Sequence, residues 1–209
     1  MDDVRIGVVV GLLAEARIAR RLGWQIAVGR DAVAGLFDQR VGALVSLGLA
    51  GGLAPGLRPG ALIVPSEVIV GTERFATDPA LSQLLGGTTA HTLFGGDAVV
   101  ATTADKQRLY QTIGAVAVDL ETGIVARTAA SRGIPFAVLR AICDPAERAL
   151  PPAALTALDA RGVIGTWRVL ASVAAHPGQL PALLALAADA AAGRRSLVAR
   201  VRQIALAQA

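Results

Sequence analysis

The sequence predicts an α/β fold: a single-domain α/β/α sandwich whose central mixed sheet is mostly parallel. Residues 4–10 are rich in Val and Ile and are closed by Gly11, a pattern typical of a strand buried on both faces of a parallel sheet. Further along, strand patterns alternate with helical patterns, which implies parallel strands joined by right-handed crossovers. The length of 209 residues fits one domain, residues 1–209, with 151–209 as a helical C-terminal part.

The individual elements follow from the same patterns. A helix over residues 12–22 follows the first strand, and further strands are predicted at 43–47 and 62–70. The stretch Gly48–Gly60 between these strands is predicted to be irregular, because clustered Gly and Pro break regular structure. The remaining predictions are a helix at 104–112, a strand at 115–119, a helix at 121–132, a strand at 136–142 and a long last helix after Pro177 and Pro181. Acidic residues that follow parallel strands, Glu121 and Asp144, are expected to converge on one crevice.

Composition excludes several classes of protein. Hydrophobic residues make up 54% of the chain, but charged residues or Gly interrupt every apolar run short of the ~18 residues that a spanning helix needs. The N-terminus lacks the features of a secretory signal, so a cytoplasmic location is expected. Cys143 is the single cysteine, and His91 and His176 stand alone, so neither a disulfide nor a metal site is predicted.

The positive charge does not indicate a nucleic-acid reader. The net charge of +4 comes from arginines scattered among the acids, without an aromatic-interleaved basic stripe. Arg194, Arg195, Arg200 and Arg202 nevertheless cluster on the last helix. Two interpretations of this cluster stay open: peripheral contact with an anionic lipid surface, and an ordinary solvated helix face.

The glycine-rich stretch matches neither common phosphate-binding motif. Its glycines do not give G-x-G-x-x-G, and no Lys follows as a P-loop requires. It offers close backbone approach and N–H groups for a sugar hydroxyl, a phosphate or a nucleobase edge. In this region we predict that Ser46, Gly48, Ala50 and Gly51 bind the substrate.

Four segments, taken together and in order, resemble a known family. They are Ile6-Gly7-Val-Val-Val-Gly11 followed by Glu15, Val45-Ser-Leu-Gly-Leu-Ala-Gly-Gly-Leu-Ala-Pro-Gly-Leu-Arg-Pro-Gly60-Ala-Leu-Ile-Val64, Ala117-Val-Asp-Leu-Glu121, and Ile134-Pro-Phe-Ala-Val-Leu-Arg140-Ala-Ile-Cys-Asp144. The pattern resembles the methylthioadenosine/S-adenosylhomocysteine nucleosidase branch of the nucleoside phosphorylases. The first-helix sequence Leu12-Leu-Ala-Glu-Ala-Arg-Ile-Ala-Arg20 and the tail His176-Pro-Gly-Gln-Leu-Pro-Ala-Leu183 are similar to hopanoid-associated phosphorylases, which act on adenosylhopane, a lipid-linked adenosine.

This resemblance implies a nucleoside phosphorylase-like fold and cleavage of the bond between a purine and a ribose. It places Glu121 beneath the ribose, makes Asp144 the acid that protonates N7 of the departing purine, and makes Glu15 the group that activates the nucleophile. Leu120 stands where the family usually has methionine, beneath the sugar. The resemblance further implies that no cofactor is needed, apart from phosphate as an alternative co-substrate, and that the chain forms a homodimer.

The chemistry of these residue types agrees with those roles. Positive charge develops on the sugar as the N-glycosidic bond breaks, so an ionised carboxylate beside it helps most in the transition state. Ala141, Ile142 and Pro145 should desolvate Asp144 and keep it protonated. We assign Asp119 to a helix cap or a salt bridge and Arg140 to a paired structural charge.

The sequence leaves alternatives open for both the nucleophile and the substrate. An ionised Glu15 repels phosphate and favours hydrolysis, whereas Arg17, Arg58 or Arg74 beside the glycine-rich stretch would counter that repulsion. Adenosylhopane is the favoured substrate, and a soluble nucleoside such as methylthioadenosine, S-adenosylhomocysteine or futalosine is the alternative. A non-catalytic nucleoside-binding protein is a further alternative, disfavoured because all three acids are present.

Overall fold

The computed structural model describes residues 5–155 and 177–208. The strands are β1 (Ile6–Val10), β2 (Gln25–Val28), β3 (Ala43–Gly52), β4 (Leu62–Ile63), β5 (Pro65–Val70), β6 (Glu73–Ala76), β7 (Ala90–Gly95), β8 (Ala117–Asp119) and β9 (Phe136–Asp144). The helices are α1 (Leu13–Ala19), α2 (Pro79–Leu84), α3 (Thr103–Ile113), α4 (Thr122–Arg132), α5 (Pro152–Leu155) and α6 (Leu180–Ala207). Three further segments form 3₁₀ turns, at Arg20–Leu22, Arg30–Gln39 and Pro177–Gln179.

The strands form one mixed sheet in the order β2-β1-β3-β8-β7-β5-β6, with β9 paired to both β3 and β4. The pairs β1·β2, β1·β3, β3·β9, β5·β7 and β7·β8 are parallel, whereas β3·β8, β4·β9 and β5·β6 are antiparallel. The predicted mostly parallel mixed sheet is therefore confirmed. Glu121 follows β8, which was expected to be parallel to its neighbouring strands. This expectation is wrong for one of the two neighbours, because β8 runs antiparallel to β3.

Two apolar layers cover the faces of the sheet. On one face, α4 contributes Val125, Ala126 and Ala129 to a cluster that includes Val9, Leu44 and Val138 from the strands. On the other face, α1 and α6 pack through Ile18, Leu197, Val201 and Ile204 against Val8, Val45 and Leu139. This arrangement is the predicted α/β/α sandwich. A smaller cluster brings α3 against Leu53 and Val118 at the end of β3 and β8.

The long strand β3 corrects one prediction. It continues through Gly48–Gly52, which was expected to be irregular, because β9 pairs with it along its length and β8 pairs with Gly51 and Gly52. Tertiary pairing here overrides the low strand propensity of glycine. A bulge shifts the register after Ala50, so that Gly51 lies opposite Asp144 and Cys143 is the additional residue of β9.

Helix ends are set by recognisable capping residues. Thr102 caps α3 by accepting a hydrogen bond from the Asp105 N–H at 3.1 Å, and the helix ends at Gly114 in the left-handed conformation. Helix α4 ends in the same way at Gly133. The predicted long last helix, α6, is present and runs for 28 residues, but it begins at Leu180 and so includes Pro181 in its first turn, where proline is tolerated. Among the described helices, none combines the length and hydropathy needed to cross a bilayer.

Candidate active site

Glu15 lies at the start of α1, directly after β1, with its carboxylate turned back onto the backbone. Oε2 accepts hydrogen bonds from the N–H groups of Gly11 at 3.0 Å and Leu12 at 2.9 Å, and Oε1 accepts from the Leu49 N–H at 2.8 Å. The residue is only 3% exposed. Burial raises the pKa of Glu15 above its ordinary value, although the charge of Arg140 and the backbone hydrogen bonds oppose the rise. The carboxylate thus links the segment directly after β1 to β3.

Arg140 on β9 is the fully buried cation at the centre of the site. Its guanidinium forms ion pairs with Asp119 and, at 3.5 Å between Nη1 and Oε2, with Glu121. Nη2 also donates to the Ser46 hydroxyl at 2.6 Å and to the Thr122 hydroxyl at 3.2 Å. The prediction of a paired structural charge is confirmed, and these pairs hold two strands and the start of α4 together.

Asp119 supports this centre from the end of β8. Its Oδ2 accepts from the N–H of Thr122 at 3.1 Å and from the Thr122 hydroxyl at 2.7 Å, in addition to the ion pair with Arg140. Of the two alternatives predicted for Asp119, the salt bridge is therefore confirmed. The N-cap position of α4 belongs to Glu121, and Asp119, two residues earlier, binds the first N–H group of the helix. Because the residue is buried and is bound to these partners through Oδ2, it orients α4 and Arg140. Its Oδ1 is buried without a hydrogen-bond partner among the described residues.

Glu121 is the more accessible acid of the cluster. It stands immediately before α4, with a side chain 19% exposed and a long ion pair to Arg140 as its contact among the described residues. Burial raises the pKa of Glu121, Arg140 opposes the rise, and the neighbouring Asp119 and Glu15 charges add to it. Its carboxylate oxygens therefore retain acceptor capacity for hydroxyl groups of a ligand.

Asp144 ends β9 and lies opposite Gly51. Its Oδ2 accepts a hydrogen bond from Lys106 Nζ at 2.5 Å, and its Oδ1 accepts from the Cys143 thiol at 3.3 Å. Burial raises the pKa of Asp144, as predicted from its apolar neighbours, while Lys106 opposes the rise. Burial also raises the pKa of the Cys143 thiol well above its usual range, in agreement with a thiol that is inert as a nucleophile.

Glycines make room for all three acids. A Cβ on Gly11 would lie 2.5 Å from Glu121 Oε1, one on Gly48 would lie 2.7 Å from Glu15 Oε1, and one on Gly51 would lie 3.2 Å from Asp144 Oδ1. Gly48 and Gly51 are three residues apart on β3, which corresponds to roughly 10 Å along a strand. The structure thus places Glu15 and Glu121 around Arg140. Asp144 lies farther from this centre, at the end of β9 and opposite Gly51 of β3.

The predicted substrate-binding residues differ in exposure. Ser46, Gly48 and Ala50 are buried, and the Ser46 hydroxyl is engaged by Arg140 and by Thr122 at 2.9 Å. Contact of these three residues with a substrate stays a prediction. Leu120 and Gly51 are half-buried and remain candidates for contact with a ligand.

Three expectations need correction. Arg74 does not lie beside the glycine-rich stretch, because it is on the edge strand β6, where it pairs with Glu67 at 2.5 Å. The N–H groups of that stretch are largely used within the protein: Leu49 bonds Glu15, Leu53 bonds a carbonyl of residue 116, and Gly60 bonds a carbonyl of residue 142. Arg200 leaves the predicted basic cluster by turning inward, where it donates to the Leu85 carbonyl at 3.0 Å.

Lys106 and Thr122 are the functional residues that sequence reasoning missed. Lys106 is fully buried, and its Nζ contacts Asp144. One signal was available, because Lys106 is the only lysine among the 20 basic residues of the sequence. Thr122 joins Ser46, Asp119 and Arg140 through its hydroxyl, and a threonine that begins a helix gives no local hint of such a role.

No group of three potential metal ligands occurs among the described residues, and His176 lies outside them. His91 is exposed, with Nδ1 2.9 Å from the Ser66 hydroxyl.

Two cavities, of about 460 and 470 Å³, lie away from the three acids: one is on the exposed side of α6, and the other is beside β6 and the end of α4. Phe136 is buried in the same apolar cluster that Phe75 packs against, and Phe94 packs against the smaller cluster of Leu53 and Val118.

The superfamily of the chain follows from its match to a known family. The family described as the phosphorylase superfamily matches residues 24–161, more than half of the chain. The chain belongs to the phosphorylase superfamily, which confirms the predicted superfamily and the prediction of an enzyme. No curated protein sequence matches the chain significantly.

Solved structures that resemble the chain agree with this fold. An S-adenosylhomocysteine nucleosidase from Streptococcus pyogenes shares 19% identity over 70% of this chain and 86% of its own, with a TM-score of 0.60. A 5′-methylthioadenosine/S-adenosylhomocysteine nucleosidase from S. pneumoniae shares 15% identity over 95% of this chain and 98% of its own, with a TM-score of 0.63. A futalosine hydrolase mutant from Helicobacter pylori shares 18% identity over 66% and 89%, with a TM-score of 0.56. At these identities the likeness concerns the fold.

Proposed function

We propose that this protein hydrolyses the N-glycosidic bond of a purine nucleoside and releases adenine. The observation that carries the proposal is the placement of three acids against Gly11, which follows β1, and against Gly48 and Gly51 of β3. Two of the acids surround the buried Arg140, and the third ends β9 opposite Gly51. Glu15 and Asp144 are proposed as the base and the acid, with the sugar between them, in the two-carboxylate logic that glycosidases also use.

Each acid has a distinct task in the reaction. Asp144 donates a proton to N7 of the purine while the bond between N9 and C1′ breaks and its electron pair passes to the base. Glu15 accepts a proton from the water whose oxygen bonds to C1′, so the products are the free base and the free sugar. Glu121 accepts hydrogen bonds from the ribose hydroxyls and offsets the positive charge that develops on the ring.

Water is the proposed nucleophile because the donors that phosphate would need are already used. The N–H groups of Gly11, Leu12 and Leu49 are bound to Glu15, whose charge would also repel an anion. Arg140 is fully buried and neutralised by carboxylates. Phosphate as a co-substrate is therefore the less favoured alternative.

An apolar, lipid-linked 5′ substituent, as in adenosylhopane, is the proposed substrate group. Large apolar side chains are exposed where chain segments leave the ends of strands, including Leu13 after β1 at 51% and Val99 after β7 at 45%. Leu180 and Leu184 at the start of α6 are also exposed, at 47% and 63%. Exposed apolar side chains of this kind suit contact with an apolar tail better than contact with solvent. Soluble nucleosides remain the alternative, since methylthioadenosine and futalosine enzymes share this fold.

Two associations complete the proposal. The exposed Arg194, Arg195 and Arg202 of α6 line one face of the helix, which supports peripheral contact of a cytoplasmic enzyme with an anionic membrane. Sedimentation with vesicles containing 30% anionic lipid tests this contact; equal binding to neutral vesicles would contradict it. A homodimer is proposed in addition, and light scattering on the purified protein tests it.

The decisive experiment measures adenine release from adenosine, methylthioadenosine, S-adenosylhomocysteine, futalosine and adenosylhopane, with and without phosphate. The proposal expects release that does not depend on phosphate and is fastest with the lipid-linked substrate. Release that requires phosphate would refute the proposed nucleophile. Binding of nucleosides without any turnover would support the non-catalytic alternative.

A further inference from the structure

Lys106 is unusual in its residue type, its burial and its hydrogen bonds. It is the only lysine in a sequence that otherwise uses arginine for its basic residues. It lies in the first turn of α3, and the residue is fully buried. Its Nζ donates to Asp144 Oδ2 at 2.5 Å, to the Pro145 carbonyl at 2.9 Å and to the Arg148 carbonyl at 2.9 Å. An ammonium has three donors, and here each has an acceptor.

These contacts fix both the acid and the chain that follows it. The two carbonyls belong to the segment directly after Asp144, so Lys106 holds the carboxylate and the following turn together. The contact also makes the two carboxylate oxygens of Asp144 different from each other. Oδ2 is bound to Lys106, whereas the contact of Oδ1 among the described residues is the weak thiol donor of Cys143 at 3.3 Å.

We propose that Lys106 is a positioning residue that makes Oδ1 the proton-donating oxygen of Asp144 and stabilises the carboxylate left behind. The proposal rests on the proposed function, in which Asp144 protonates the departing base. In that step the bond between Oδ1 and its proton breaks and a bond between N7 and the proton forms. The negative charge that results on Asp144 lies beside the Lys106 ammonium, so proton transfer becomes more favourable.

Other charged groups act on Asp144 more weakly. Burial raises its pKa most, Lys106 lowers it, and Asp189 on α6, which is paired with Arg148, raises it. From β9 the neighbouring Cys143 donates through its thiol, and beneath Asp144 the strand β3 presents the uncharged Gly51. Lys106 forms the direct ion pair with Asp144, so its removal should change the titration of Asp144 most.

The test compares Lys106→Met and Lys106→Gln, which remove the charge, with Lys106→Arg, which keeps it. Two quantities are measured: the pH dependence of kcat/KM, and the carboxyl ¹³C NMR titration of Asp144, assigned with Asp144→Asn. An opposite charge at this distance typically lowers a carboxyl pKa by 1–3 units, so the neutral variants should move the alkaline limb and the NMR midpoint upward by roughly that much. In Lys106→Arg, the alkaline limb of kcat/KM and the NMR midpoint of Asp144 should both lie closer to their wild-type values.

A purely structural role would lower kcat in every variant without moving either midpoint. Folded neutral variants, verified by circular dichroism, whose Asp144 titrates as in the wild type would overturn the proposal. If Lys106→Met does not fold, Lys106→Gln decides, because its amide can still bond a carbonyl of the turn. A wild type that releases no base from any nucleoside would reject the proposed function, and the NMR titration would still show separately whether Lys106 controls Asp144.

Discussion

The close approach of Gly11 to Glu121 allows a sharp test of the site. In Gly11→Ala the new Cβ would lie 2.5 Å from Glu121 Oε1 and 2.7 Å from its Cδ, whereas ordinary contact begins at 3.4 Å. The carboxylate must therefore retreat by about 0.9 Å to relieve this contact. Misplacement by about 1 Å can reduce a rate about 10²-fold. We expect kcat/KM for base release to fall by roughly that factor, or about 2.7 kcal/mol.

Stability should respond differently, because Glu121 is partly exposed and can move without opening the core. The thermal midpoint of Gly11→Ala, measured by calorimetry, should therefore lie close to that of the wild type. Gly35→Ala is the matched control: a Cβ at this exposed glycine meets nothing within 4 Å, and both activity and folding should be unchanged. A folded Gly11→Ala variant that keeps more than half of the wild-type kcat/KM would refute the assigned position of Glu121.

Three further predictions concern the other polar groups. Asp144→Asn should lose roughly 10²–10⁴-fold in turnover while its circular dichroism spectrum is retained, and near-normal turnover would reject its role as the acid. Because Glu121 has a raised pKa, its folded form holds a proton above pH 4.5 that the unfolded chain has released, so stability falls as pH rises through the folded pKa. Glu121→Gln should therefore raise the thermal midpoint at pH 7 and flatten its pH dependence; a lower midpoint would contradict this sign. Ser46→Ala removes a buried partner of Arg140 and should lower the free energy of unfolding by about 1–3 kcal/mol in urea titrations, and an unchanged value would show that the hydroxyl is dispensable.

The central strands were predictable because burial on both faces gives them a continuous apolar signal. The strands β1 and β9 were found within a few residues, and Val8, Val9 and Val10 have no exposed surface. The strands β2, β6 and β7 were missed. The first two are short and lie at the edges of the sheet, and β7 carries polar residues that interrupt its apolar pattern.

The residues of the site that stand in short sequence patterns could be predicted. The contacts of the site that join distant segments of the chain could not. Glu15, Glu121 and Asp144 stood out as acids after strand patterns. The contact of Lys106 with Asp144 joins residues 38 positions apart, and that of Arg140 with Ser46 joins residues 94 apart. Local propensity contains no information on such pairs. The antiparallel direction of β8 likewise depends on its pairing with the end of β3, which no residue of β8 specifies alone.

The hydrogen bonds of Glu15 have a consequence for ligand binding. Its carboxylate is held by donors from two separate segments, and Arg140 is held by acceptors from β3, β8 and α4, all of them groups of the protein itself. Dipoles and charges that are already oriented need not rearrange when charge develops in a reacting molecule. The site is in this sense preorganised, and binding energy need not be spent on ordering its polar groups.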